Sequence, residues 1–160
     1  MKSALIALCV VVCASGAAAQ ERSIPASAGQ GWRVECANDG KTLDCRAEAQ
    51  VVQRENNQLI AALTVRVPAE TKKPVMMVQV PLGISVNAPV SVAVEGASES
   101  LVIQTCTQAG CYAGGPVTDA MIAALRSKTQ VRIVFQNLDK QAVTVTLPLA
   151  GFPAAYDKLK

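Results

Sequence analysis

The chain has 160 residues, 51% of them apolar, with 15 basic against 12 acidic side chains and no histidine. That length suits one domain, and a net charge of +3 on a mixed-sign sequence is too weak for a nucleic-acid footprint. The missing histidine excludes every Ser-His-Asp or Cys-His mechanism, every imidazole acid or base and every His-bearing zinc site.

The first element in chain order is a targeting segment. Lys2 supplies a basic start, Ala4 to Ala14 form an apolar run, and Ala17-Ala18-Ala19 ends in a small-x-small site before Gln20. The pattern reads as a secretory signal over residues 1–19, cleaved between Ala19 and Gln20, with an apolar core too short to span a bilayer in the mature chain. Cys9 and Cys13 follow Leu8 and Val12 instead of small residues, so neither fits a lipid-anchored cysteine. The expected location is the periplasm, with outer-membrane association or surface exposure open to it. Residues 20–31 (QERSIPASAGQG) read as a flexible leader, and residues 32–160 as a single β domain.

Beyond the leader, apolar residues alternate with polar ones. Trp32, Val34 and Cys36 alternate with Arg33 and Glu35; Leu43, Cys45, Ala47, Ala49 and Val51 alternate with Asp44, Arg46, Glu48 and Gln50. Leu59, Ala61, Leu63, Val65 and Val67 form the next apolar face, opposite Thr64 and Arg66. A period of two predicts strands with one buried and one wet face. Val75 to Val80 and Ile84 to Val94 continue as valine-rich runs, cut by Pro74, Pro81, Gly83 and Pro89 at strand ends. Leu101, Ile103 and Thr105 lead into a cysteine loop, Cys106 to Gly115. Thr118-Asp119 then caps a helix with Met121, Ile122, Ala124 and Leu125 at helical spacing and Arg126 and Lys128 in its last turn. Its apolar stripe covers core, or alternatively docks a partner helix. Residues 131–135 and 143–147 close the series around the turn residues Asn137 to Lys140. About eight or nine short strands and one helix, without βαβ alternation, predict an all-β fold: a single β-sandwich or barrel-like domain.

Cys36, Cys45, Cys106 and Cys111 survive signal cleavage, and an even count in an exported chain reads as two disulfides. Spacing favours Cys36–Cys45 and Cys106–Cys111, each closing a hairpin or tight loop. A redox dithiol would show C-x-x-C, which neither pair has, and a Cys₄ metal site would need reduced thiols in an oxidising compartment. No metal and no cofactor are expected.

Chemistry-bearing motifs are sparse. The chain has no P-loop, no dinucleotide-binding glycine motif between strand and helix, and no G-x-S-x-G elbow. Asp39, Asp44, Glu48, Glu55, Glu95 and Glu99 alternate outward or sit in turns and read as solvated, so no catalytic residue is assigned. Lys72-Lys73 reads as a solvated turn. The most distinctive local feature is the cysteine loop, whose glycines permit the turns a small disulfide ring demands. Gly110, Tyr112, Gly114 and Gly115 form the candidate recognition loop, since loops on rigid β-scaffolds often carry binding. Tyr112 is the residue to test there, although packing on the sheet end is its plainer role.

Five segments together resemble the invasion-associated locus B proteins of alphaproteobacteria. They are Trp32-Arg33-Val34-Glu35-Cys36 with Cys45 after it, Val80-Pro81-Leu82-Gly83-Ile84, Cys106-x-x-x-Gly110-Cys111, the Met121–Leu125 helix, and Leu147-Pro148-Leu149-Ala150-Gly151-Phe152-x-Ala154. The resemblance runs from Trp32 to about Tyr156. It implies an exported, non-enzymatic envelope protein whose partner is an envelope or host-surface protein, linked in pathogenic members to host-cell entry. It supplies no catalytic residues. The family pattern has a glycine after the helix where this chain has Lys128-Thr129. Rival expectations stand beside it: a periplasmic enzyme using carboxylate or hydroxyl chemistry, which needs a deep acidic pocket; an adhesin proper, which needs surface exposure and an apolar or aromatic patch with a polar rim; and a general envelope structural or maintenance protein.

Overall fold

The computed structural model describes residues 22–23, 26–28, 31–38, 40 and 43–159. The expected signal segment 1–19, its cleavage point at Ala19 and Gln20, and Asp39 lie outside the described residues. In chain order the elements are β1 (Arg22–Ser23), β2 (Ala26–Ala28), β3 (Arg33–Asn38), β4 (Leu43–Gln53), β5 (Leu59–Arg66) and β6 (Val75–Val80). They continue with β7 (Val90–Val94), β8 (Ala97–Thr107), β9 (Gly110–Pro116), α1 (Asp119–Ser127), β10 (Gln130–Gln136), β11 (Ala142–Pro148) and α2 (Phe152–Asp157).

The expected all-β class holds, and the choice between sandwich and barrel resolves into one continuous curled sheet. Its order is β1-β11-β10-β7-β8-β9-β6-β5-β4-β2, with β3 also paired to β4. The turn between the two halves is made by β8, whose residues 97–101 pair with β7 and whose residues 102–107 pair with β9. A register shift between Ile103 and Thr105 bends the strand where it changes partner. The curl brings β11 beside β4 and β2. Across that seam run residues 22–23, paired with β11, and 26–28, paired with β4, both within the segment read from the sequence as a leader.

The core fills the inside of the curl. Inward positions such as Val51, Leu63, Val78, Val92, Ile133 and Leu147 are buried, as strict alternation requires. At one end α1 seals the core with Met121, Ile122 and Leu125, so its stripe is a packing face. Thr118 caps it, accepting from the Met121 amide, while its own hydroxyl donates to Glu99 at 2.7 Å. The helix ends at Ser127 without a glycine: Lys128 is extended, and its amide donates to the Ala124 carbonyl. Lys128 is thus the cap instead of a last-turn residue, and it pairs with Glu95 at 3.3 Å.

Three sequence expectations are corrected. Residues 84–89 are loop, with Ile84 buried in the core and its backbone bridged to Asn137, because the prolines on either side leave little room for a ladder. Residues 110–116, expected to be loop, form β9 between β6 and β8. A second helix, α2, follows β11; Gly151 enters it in the left-handed region (φ 91°) and Pro153 sits in its first turn, where its missing N–H costs nothing.

The helix α2 fastens the seam. Phe152 is fully buried, and the Trp32 ring meets it edge-on at 4.6 Å between centroids. The Trp32 indole N–H donates to the Pro148 carbonyl at 3.0 Å. Arg126 of α1 reaches Asp157 of α2 through two nitrogens at 2.6 and 3.3 Å and lies over the Tyr156 ring. Trp32 therefore joins the beginning of the sheet to its end. Trp32→Ala should cost about 3 kcal/mol, read from urea unfolding by circular dichroism; a loss under about 1 kcal/mol would show that the seam does not depend on it.

Candidate functional site

Both disulfides form as spaced: Cys36–Cys45 and Cys106–Cys111 each join directly opposed residues of a hairpin. They lie at opposite ends of the sheet. The second ties the tip of the β8–β9 hairpin, next to the end of β6, where the Gln79 side chain donates to the Ala109 carbonyl at 2.8 Å.

The four candidate recognition residues therefore sit in a central strand. Gly110 has φ 136°, and a Cβ there would lie 2.4 Å from the Val80 carbonyl oxygen, so this glycine serves close backbone approach between strands. At Gly114 a Cβ would lie 3.0 Å from the Met76 carbonyl oxygen. Cys111 and Ala113 point into the core, which turns Tyr112 and Gly114 outward. Tyr112 is half-buried on the outer face, opposite Gln79 and Thr105.

That outer face carries a groove of about 590 Å³ beside Gly114. Its floor includes Thr64, Met77, Gln104 and Gly114; its wall is the β3–β4 hairpin, which brings Glu35, Cys36, Asp44 and Arg46, with Arg66 between. The wall exists because β4 pairs with β5 only from Arg46 onward, so residues 43–45 project with β3 as a two-stranded arm. Cys36–Cys45 clasps that arm at its base.

Strand alternation and register bring the charges together. Arg46 and Arg66 are directly opposed on neighbouring strands. Each has a carboxylate partner: Arg46 to Glu35 at 2.7 Å and Arg66 to Asp44 at 3.2 Å. Arg33 to Glu48 at 3.4 Å extends the set. The Arg46 hydrogen bond holds the Glu35 carboxyl below the usual carboxylate range, and the same bond raises Arg46. A general acid needs the opposite shift, toward the protonated form near neutral pH. Glu35, shifted the other way, is held as a carboxylate.

Of the carboxylates singled out from the sequence, Asp44 reaches the groove and Glu48 neighbours it. Glu95 pairs with Lys128, Glu99 receives the α1 cap, and Glu55 accepts a long contact from Gln53 at 3.5 Å. They do not converge, and among the described residues no group of three or more His, Cys, Asp or Glu is placed to hold a metal. Sequence reading missed Glu35, Arg46, Arg66, Met77 and Gln104 as one site. The period-two pattern puts Arg46 and Arg66 on outer faces, but only register makes them neighbours.

Glu35 makes the ion pair testable by pH. Because its folded-state pKa is lowered, its contribution is present above the ordinary glutamate pKa and is lost as pH falls through the lower folded value. Glu35→Gln should flatten the fall in stability below about pH 4.3. Denaturation midpoints measured from pH 6 down to about pH 2.5 check it; parallel curves for both proteins would contradict the pairing.

Comparison with known proteins adds three findings. Residues 32–160 match the model of the family described as invasion associated locus B (IalB) protein. The chain is similar to invasion protein B homologues of Brucella abortus strain 2308 and of Brucella abortus biovar 1 strain 9-941. Each is 26% identical over 133 residues, covering 82% of this chain and 76% of the relative. Among solved structures, invasion associated protein B from Bartonella henselae superposes with a TM-score of 0.70 at 25% identity, covering 80% of this chain and 89% of that one.

Proposed function

The chain belongs to the invasion associated locus B family, and from that premise we propose that it is an exported envelope protein that works by binding, without catalysis. Its groove is an interaction surface for an envelope or host-surface protein. The observation that carries this reading is the pairing of the groove's charges, with Glu35 held as a carboxylate by Arg46. Fixed charges beside exposed apolar groups suit recognition. Met77 is 40% exposed on the floor, and Val102, directly across Gly114, is 71% exposed.

Export rests on the residues at the start of the chain and on compatibility with the family. Signal cleavage before Gln20 leaves a mature chain in which the four remaining cysteines are bridged. Among the described residues no helix is long and apolar enough to cross a membrane. N-terminal analysis of protein recovered from the periplasmic fraction should find Gln20 or a residue within a few positions of it. Recovery of Met1 in that fraction would remove the export argument.

The binding role is tested at Tyr112 and Val102, which flank the groove on the outer face. Val102→Lys should leave the melting temperature within about 2 °C of the parent, as surface changes do, and Tyr112→Ala should do the same where the half-buried ring serves recognition instead of packing. Both should lose partners captured by cross-linking in the native envelope. A lowered melting temperature with partners retained for Tyr112→Ala would assign the tyrosine to packing. Capture unchanged in both variants would remove the groove from the interaction.

A further inference from the structure

Two arginines directly opposed on adjacent strands repel, and such like-charge pairs destabilise a sheet. Arg46 and Arg66 stand in this relation on the groove wall, each about half exposed. The arm meets them with one carboxylate apiece, and each of those contacts engages a single terminal nitrogen. A guanidinium has five N–H donors in a planar fork, so both keep donors beyond those contacts. An anionic group placed between the two would relieve their repulsion; on the adjoining row the Thr64 hydroxyl is directed to Glu48 at 3.5 Å.

The rest of the groove says what should carry that anion. In that same adjoining row, Met77, Gly114 and Val102 face one another across three strands. Gly114 leaves a slot between two exposed apolar side chains, bounded by the Gln104 amide, which donates to the Gly114 carbonyl at 3.0 Å. Strand spacing of about 4.8 Å and a rise of about 3.4 Å per residue put the arginine pair and this slot roughly 13 Å apart. In an extended chain that is the distance between residues i and i+4, whose side chains point the same way.

Building on the binding role above, we propose that the groove docks an extended, acidic peptide segment of its partner. A carboxylate lies between Arg46 and Arg66, and an apolar side chain four residues away lies over Gly114, between Met77 and Val102. Glu35 and Asp44 are the neighbouring acids, and each engages one guanidinium through one nitrogen.

A random heptapeptide library displayed on phage and selected on the mature, oxidised protein tests this. Enriched peptides should carry Asp or Glu four positions from a large apolar residue. For one such peptide, measured by fluorescence polarisation, replacing the acid by its amide should weaken binding about ten-fold, an effect that shrinks with added salt. In Arg46→Gln and Arg66→Gln, with folding checked by circular dichroism, acid and amide peptides should bind alike. Val102→Lys should remove the apolar preference. No enrichment, enrichment without the acid, or an acid preference that survives both arginine substitutions overturns the proposal. If envelope capture still depends on Tyr112 and Val102 while the acid preference is absent, the binding role stands and the acidic-peptide assignment alone falls.

Discussion

The indole of Trp32, with its N–H on the Pro148 carbonyl and its ring edge-on to Phe152, is the contact on which the curled sheet depends. An antiparallel sheet that bends around its own core ends in two edges, and those edges expose backbone donors and acceptors. Here they meet near β11 and β4, and Trp32, just ahead of β3, reaches over to the end of β11. The short segments at residues 22–23 and 26–28 lie along the same seam. The aromatic contacts continue through Phe152 and Tyr156 to Arg126, so both helices are tied into the closure.

With the inside committed to packing, the groove of the proposed binding role lies on the outer face. There the strand pleat lifts every second residue into water, and the register sorts these into rows. One row is charged and joined by ion pairs; the next runs from Thr64 through Met77 and Gly114 to Val102. Surface ion pairs of this kind add little stability individually. Their value lies in holding guanidiniums at fixed places along a concave surface. The projecting β3–β4 arm makes that surface concave, and its clasp at Cys36–Cys45 keeps the wall upright.

Much of this was legible in the residues themselves. Alternation at 43–51 and 59–67 predicted strands with the correct inward face, and Thr118 with Met121, Ile122 and Leu125 predicted a capped, core-covering helix. Cysteine spacing predicted both bridges. What failed did so for local reasons. In β9, three glycines and a proline in seven residues look like a loop, yet at Gly110 and Gly114 the β6 backbone passes too close for a side chain. The short α2 carries Gly151 and Pro153, punctuation that reads as chain irregularity, and its helix forms because Phe152 and Tyr156 find buried partners. The groove was illegible for a different reason: it is a product of register among β3, β4, β5, β6 and β9, information that no single segment contains.

The two disulfides span 9 and 5 positions in sequence, while the seam joins residues 116 positions apart. Short rings close fast and with little dependence on the rest of the chain. If the chain is exported as proposed, N-terminus first, it can seal Cys36–Cys45 soon after that hairpin enters an oxidising compartment, and Cys106–Cys111 before β10 and β11 arrive. Neither thiol pair has to wait for a distant mate, so mispaired bridges have little time to form. On that route the wrapping that brings β11 and α2 back to Trp32 comes last, a long-range closure of the kind that is slow by topology.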